Sequence, residues 1–259
     1  MSSPTFAQKL GAEVLGTAIL VFIGAGSVPL TVFLTAGAGG TGIDGTSGLS
    51  TISFAFAFAI FAAIYSVGHI SGCHINPAVT IALLATRKID GRTAGGYIVA
   101  QLIGAFLGAT LTLIILTGND PQSLGLGAVG VNENAGLPIG FAAEVIGTAI
   151  LVFTVFGAAV SGKAPGGFPG IAIGFIVYGI IILVGPITGA ALNPARQIGP
   201  DILEQVIGGA AVAWDALALV YIAGPIVGGL VGAFLYEFIG REAPTPAVAP
   251  TAAAQAADA

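Results

Sequence analysis

The sequence predicts an all-α membrane protein with six transmembrane helices and two re-entrant half-helices, laid out as an inverted 3+3 repeat. Three observations predict it. Of the 259 residues, 56% are hydrophobic and only 7% charged, and the mean hydropathy is +1.00. A soluble domain carries about a quarter charged residues. A second observation is a ten-residue sequence that occurs twice, as SGCHINPAVT at 71–80 and TGAALNPARQ at 188–197. Each copy lies between hydrophobic stretches and is too short to cross a bilayer by itself. The third is an echo between the halves. AEVLGTAILVF at 12–22 returns as AEVIGTAILVF at 143–153, and YIVAQLIGAFLGATL at 97–111 resembles YIAGPIVGGLVGAFL at 221–235. Three spans per half is an odd number, so the halves must be inverted.

Span 1 is expected over 10–36. Its apolar run exceeds the roughly 7–15 residues of a signal-peptide core, and only Lys9 precedes it, so it reads as a retained span. A Gly-rich connector, 37–48, contains Asp44 as its single charge. Span 2 is expected over 49–68 and leads into the first Asn-Pro-Ala loop. Arg87, Lys88, Asp90 and Arg92 form a charged connector before span 3, at 93–117. The stretch 118–136 has no Lys or Arg. Span 4 is expected over 137–160, span 5 over 168–185 before the second loop, and span 6 over 213–239. The repeats are then 7–117 and 137–240, and the Ala/Pro-rich tail, 241–259, reads as a disordered cytoplasmic segment.

Charge orients the layout. Lys9, Arg87, Lys88, Arg92, Lys163 and Arg241 fall on one side of a six-span arrangement, so both termini are expected in the cytoplasm of a cell-membrane protein. Arg196, in the second loop, is the exception. The net charge of −5 is thinly spread and points to no nucleic-acid partner, and the single Cys73 excludes an internal disulfide. Gly104/Gly108, Gly170/Gly174, Gly224/Gly228 and Gly228/Gly232 are small-xxx-small pairs that permit close helix approach. They speak for a tight bundle and say nothing of a substrate.

The two loops carry the chemistry. Asn is a favoured N-cap and Pro a favoured first helical residue, so Asn76-Pro77 and Asn193-Pro194 read as helix starts, with Ala78 and Ala195 small enough to let them meet. Two helix N-termini at the midplane repel cations. The preceding residues, Gly72, Cys73, His74 and Ile75, and Gly189, Ala190, Ala191 and Leu192, are expected to be extended, with carbonyls lining a pore. A central pair of amide donors flanked by acceptors suits a single file of neutral hydroxyl-bearing molecules and opposes protons and cations.

These features resemble the major intrinsic protein family, the aquaporins and glycerol facilitators, over about residues 7–240. The resemblance rests on the paired Asn-Pro-Ala loops, Glu-x-x-Gly-Thr at Glu13 and Glu144, Ala100-Gln101, Gly224-Pro225 and the Arg three residues after Asn193. It implies a homotetramer with a pore in each subunit. It also implies an aromatic/arginine constriction, which by spacing falls on Phe56, Ile181, Ala190 and Arg196. Water-selective members usually carry Phe, His, a small residue and Arg there, and glycerol facilitators Trp, Gly, Phe and Arg. The present set matches neither and is similar to that of archaeal aquaporins. It implies water conduction with some leak of small neutral solutes such as glycerol. Gln197 and Asp201 depart from the glycerol pattern.

Single residues keep two readings each. Arg196 is either a pore wall or a brace on loop carbonyls, and its contacts can serve both. Glu13 and Glu144 are either proton-coupling groups or acceptors that brace the loops, and the resemblance implies bracing; Gln101 reads as a helix-packing or loop-bracing polar group. His74 is either a pore-wall residue or a pH sensor. Cys73 is either a buried small residue or pore-facing, in which case a thiol reagent blocks flow. A secondary transporter is the competing class, since it too uses inverted repeats and intramembrane carboxylates. A junctional or structural membrane protein ranks below it. No nucleotide motif, metal-ligand cluster or nucleophile–base arrangement appears, so neither an enzyme nor a cofactor is expected.

Overall fold

A computed structural model of the chain describes residues 3–37, 45–116 and 125–240. The tail expected over 241–259, with Arg241, and Asp44 in the first connector lie outside the described residues. The described residues form helices and connecting loops, without strands.

Among the described residues six helices are long and apolar enough to cross a membrane: α1 (Phe6–Thr35), α2 (Gly45–Ser71), α4 (Gly91–Leu116), α5 (Gly136–Val160), α6 (Pro169–Thr188) and α8 (Trp214–Ile239). Two short helices lie between them, α3 (Pro77–Ala85) and α7 (Pro194–Val206). The six expected spans are all present. Several run further than expected because polar residues also join them. α1 begins at Phe6, where Thr5 and Gln8 form a reciprocal capping box. α2 continues through His69 to Ser71, and α6 runs through Pro186 to Thr188. Asp90 caps α4. Its carboxylate accepts from the Thr93 hydroxyl at 2.7 Å and the Thr93 amide at 3.0 Å, and these bonds hold its carboxyl below the usual range.

The packing repeats with the sequence. α1 packs on α4 as α5 packs on α8, and α1 on α2 as α5 on α6. The close approaches are made by glycine. A side chain at Gly108 would meet the Ala18 carbonyl oxygen 2.7 Å away, and Gly104, Gly228 and Gly232 face Val14, Val145 and Ala149 of the partner helix in the same way. α2 packs on α6 across the two repeats, with Gly170 against Tyr65 and Gly174 against Phe61. The half-helices are exchanged. α3, from the first repeat, lies on α8, and α7, from the second, lies on α4. Gly229 gives α8 access to the Ala78 carbonyl, and Gly199 gives α7 access to Ala105.

The alternating spans put the start of α1 and the end of α8 at one face. There Lys9, Arg87 and Lys88 line a shallow depression, and Lys88 pairs with Glu237 at 2.9 Å. Tyr65, near the end of α2, donates to the Gly167 carbonyl in the turn before α6, at the same face.

Candidate functional site

Both half-helices start as the Asn-Pro pairs predict. Asn76 and Asn193 have extended backbones and precede prolines at the first helical positions. The Asn76 Oδ1 accepts the Ala78 amide at 2.8 Å, and the Asn193 Oδ1 accepts those of Ala195 at 3.0 Å and Arg196 at 3.2 Å. Each Asn side chain then crosses to the other loop. Asn76 Nδ2 donates to the Leu192 carbonyl and Asn193 Nδ2 to the Ile75 carbonyl, both at 2.8 Å. An amide nitrogen has two hydrogens, so the crossed bond leaves one on each Asn for the cavity that both line.

The residues before each Asn are not simply extended, as the sequence led us to expect. Gly72, Cys73 and Ile75 have φ of 92°, 52° and 45°, and Gly189, Ala190 and Leu192 have 76°, 50° and 54°. His74 and Ala191 interrupt each run. The left-handed region costs a non-glycine residue of order 1–3 kcal/mol, and Ile75 is β-branched besides. Two buried carboxylates explain how the conformation persists. Alternating handedness turns successive amides to one side, where an anion can sit. Glu13 accepts the His74 amide at 2.9 Å and the Ile75 amide at 2.8 Å, and Glu144 accepts those of Ala191 at 2.9 Å and Leu192 at 2.7 Å. Because a trans peptide is planar, amides aimed at the carboxylate leave their carbonyls aimed away from it.

A second set of bonds repeats as well. Ser71 donates to Glu13 at 2.7 Å and Thr188 to Glu144 at 2.6 Å, and the same hydroxyl oxygens accept the Cys73 and Ala190 amides. Tyr97 donates to the Ser71 carbonyl at 2.8 Å, and Tyr221 to the Thr188 carbonyl at 2.9 Å. Gly16 and Gly147 leave room for Ile75 and Leu192 respectively.

The repeats diverge away from this centre. Gln101 donates to Glu13 at 2.8 Å and to Thr80 at 2.9 Å, and the Thr80 hydroxyl also meets His74 Nδ1 at 3.2 Å. In the aligned stretch of the second half, Pro225 stands where Gln101 does. The second half has Arg196 instead, with Val79 at the matching place in the first. The Arg196 Nη1 donates to the Gly127 carbonyl at 2.7 Å and lies 3.4 Å from Gln197 Oε1. Its Nε and Nη2 are buried with no partner among the described residues, and its guanidinium carbon lies 5.1 Å from the Phe56 ring centre. Phe56 can occupy this place because a side chain at Gly24 would overlap its ring.

One cavity of about 330 Å³ joins these parts. It runs from Lys88, Ile89 and Val160 at the basic face, past Val79 and Leu83, to Asn76 and Asn193, and on to Phe56, Ile181, Ala190 and Arg196. Gly72, Cys73, His74, Ile75, Ala191 and Leu192 also line it. Of the expected pore residues, Gly189, Pro77, Ala78, Pro194 and Ala195 are not among its lining residues. Ala78 and Ala195 are wholly buried, Ala78 close to Gly229 of α8. The small side chain of Ala78 suits the close seating of α3 against α8 there. Glu13, Glu144 and Gln101 are buried behind the loops and do not line the cavity. His69 is exposed at the end of α2.

Sequence reasoning missed the contribution of residues 125–132. Gln197 Nε2 donates to the Val129 carbonyl at 2.8 Å, and the buried Glu204 accepts the Leu126 amide at 2.5 Å and the Ala128 amide at 3.2 Å. The tyrosines 97 and 221 were visible as repeat mates, but their target carbonyls were not. Among the described residues, no group of His, Cys, Asp and Glu could hold a metal ion.

A comparison with protein families matches residues 1–236 to the major intrinsic protein model. The chain is 43% identical to a probable aquaporin AqpM of Archaeoglobus fulgidus, over 92% of this chain and 99% of that protein. It is 42% identical to the aquaporin AqpM of Methanothermobacter marburgensis, over 89% and 96%. The X-ray structure of the aquaglyceroporin from Plasmodium falciparum superposes with a TM-score of 0.73 at 27% identity, covering 90% of this chain and 94% of that one.

Proposed function

The chain belongs to the major intrinsic protein family, and from that premise we propose how this channel works. It is a multi-pass membrane protein and a passive channel for water, not an enzyme. The observation that carries the reading of its site is the pair of crossed Asn amides beside one cavity that reaches from the basic face to Phe56 and Arg196.

Water enters from the basic face, which is cytoplasmic, and passes carbonyls of residues 72–74. At the centre the free hydrogens of Asn76 and Asn193 donate to its oxygen. A water whose oxygen is held by two donors points both hydrogens outward and cannot hand a proton along the file. The N-termini of α3 and α7 add partial positive charge at the same place and oppose cations. The file then passes carbonyls of residues 190 and 191 and meets Arg196, whose Nε and Nη2, without a partner among the described residues, can donate to water. Phe56, Ile181 and Ala190 form the rest of the constriction. The side chains of Ile181 and Ala190 offer no polar group there, so small neutral solutes such as glycerol leak through. Glu13 and Glu144, with Gln101 behind the first, brace the loops. Four copies assemble as a tetramer with one pore each, from two repeats spanning about 7–117 and 137–240.

The test is light scattering by proteoliposomes after an osmotic step, with water and glycerol run beside protein-free vesicles. Shrinkage well above the empty vesicles, with a weak temperature dependence and slow glycerol re-swelling, is expected. Equally fast glycerol re-swelling makes the protein a facilitator. No gain for either solute contradicts an open channel.

A further inference from the structure

Glu204 sits on α7, beyond the expected pore residues, with 6% of its surface exposed. Its Oε1 accepts the amides of Leu126 and Ala128. The residue between them, Gly127, supplies the carbonyl that accepts Arg196 Nη1. A carboxylate on one half-helix therefore holds a loop that in turn holds the guanidinium eight residues earlier on the same half-helix. The loop has little freedom of its own. Gly127, at φ 95°, lies against the Ala25 carbonyl of α1, where no side chain fits, and Leu126 is wholly buried. Val129 is tied to Gln197 and fills the space beside Gly189. Asp201, which accepts from Gln197 Nε2 at 3.1 Å, anchors the Val129 end of this path, and Glu204 anchors the residues on either side of Gly127.

From this geometry we infer that Glu204 is a positioning residue that sets the width of the constriction by fixing where Gly127 holds Arg196. It touches no permeating molecule. The inference rests on reading Arg196 as a wall of the constriction. Without the carboxylate, the buried Leu126 amide and the half-buried Ala128 amide lose their partner, the 125–129 backbone shifts to find others, and Arg196 follows its Gly127 contact. Charge-assisted bonds are about twice as strong as neutral ones, so an amide side chain at 204 holds the loop less firmly.

The test measures glycerol and water permeability in proteoliposomes of wild type, Glu204→Leu, Glu204→Gln, Arg196→Ala and the Glu204→Leu/Arg196→Ala double variant. Glu204→Leu should raise the glycerol-to-water ratio about fivefold, the change in a barrier made by one net hydrogen bond of about 1 kcal/mol. Glu204→Gln, which keeps the side chain's shape and is expected to assemble, should raise it about twofold. In the Arg196→Ala background Glu204→Leu should add no further change. A general loss of packing lowers both permeabilities together and leaves their ratio alone. An unchanged ratio in Glu204→Gln or Glu204→Leu, or an equal rise with and without Arg196, overturns the inference. If Arg196→Ala itself leaves the ratio unchanged, the constriction reading falls and the role of Glu204 falls with it.

Discussion

Around the first loop, Glu13 accepts two backbone amides, Ser71 accepts a third and Tyr97 donates to a carbonyl. Around the second, Glu144, Thr188 and Tyr221 make the same bonds. The shared set forms the strained backbone and the crossed Asn amides. What differs lies away from the midplane. The first loop is closed off by Gln101, Thr80 and His74, a network of side chains from its own repeat. The second is met by Arg196, and by residues 125–129, which are held from α7. On the reading proposed above, the duplicated set builds one central barrier to protons and cations from two equivalent halves, whereas discrimination among neutral solutes falls to residues such as Arg196 whose matching position in the other half, Val79, carries a different side chain.

Breaking the shared set gives the largest effect. Glu144→Leu leaves the Thr188 hydroxyl and the Ala191 and Leu192 amides without an acceptor, and two non-glycine residues in left-handed conformations without support. A loss of about 3 kcal/mol or more is expected, since each buried orphan costs about 1–3 kcal/mol. Thermal unfolding in detergent should show no folded channel or a much lower midpoint. Glu13→Leu should be as damaging. If one of the two is well tolerated, the loops are not equivalent.

A smaller effect sharpens the comparison in function alone. Cys73 and Ala190 occupy matching places, and both line the cavity. A mercurial should block most water flow in the wild type, spare Cys73→Ser, and block again in a Cys73→Ser/Ala190→Cys variant. Inhibition of Cys73→Ser as strong as that of the parent means the thiol does not reach the file.

Much of this was legible in the sequence, for reasons that differ between parts. The six spans follow from hydropathy, and Asn76-Pro77 and Asn193-Pro194 announce helix starts because cap and first-turn preferences are local. Gly104, Gly108, Gly228 and Gly232 announced close packing, and the structure supplies the facing carbonyls. The backbone of residues 72–75 and 189–192 was read as extended because nothing local predicts a left-handed Cys73, Ile75, Ala190 or Leu192. Their conformation is imposed by carboxylates tens of residues away. Residues 125–129 carried no signal either. Their bonds reach Arg196 and Glu204 at separations of 69 to 78 residues, and a Glu on a short polar helix ordinarily reads as a solvated face.

The central claim is that a site made of paired Asn donors passes water and stops protons. It is tested most directly by recording osmotic shrinkage and the decay of an imposed pH gradient, reported by a trapped dye, in the same proteoliposomes. The account predicts water permeability well above that of empty vesicles, with proton permeability equal to theirs. Proton flux that rises with the amount of channel protein, in step with water flux, would contradict it.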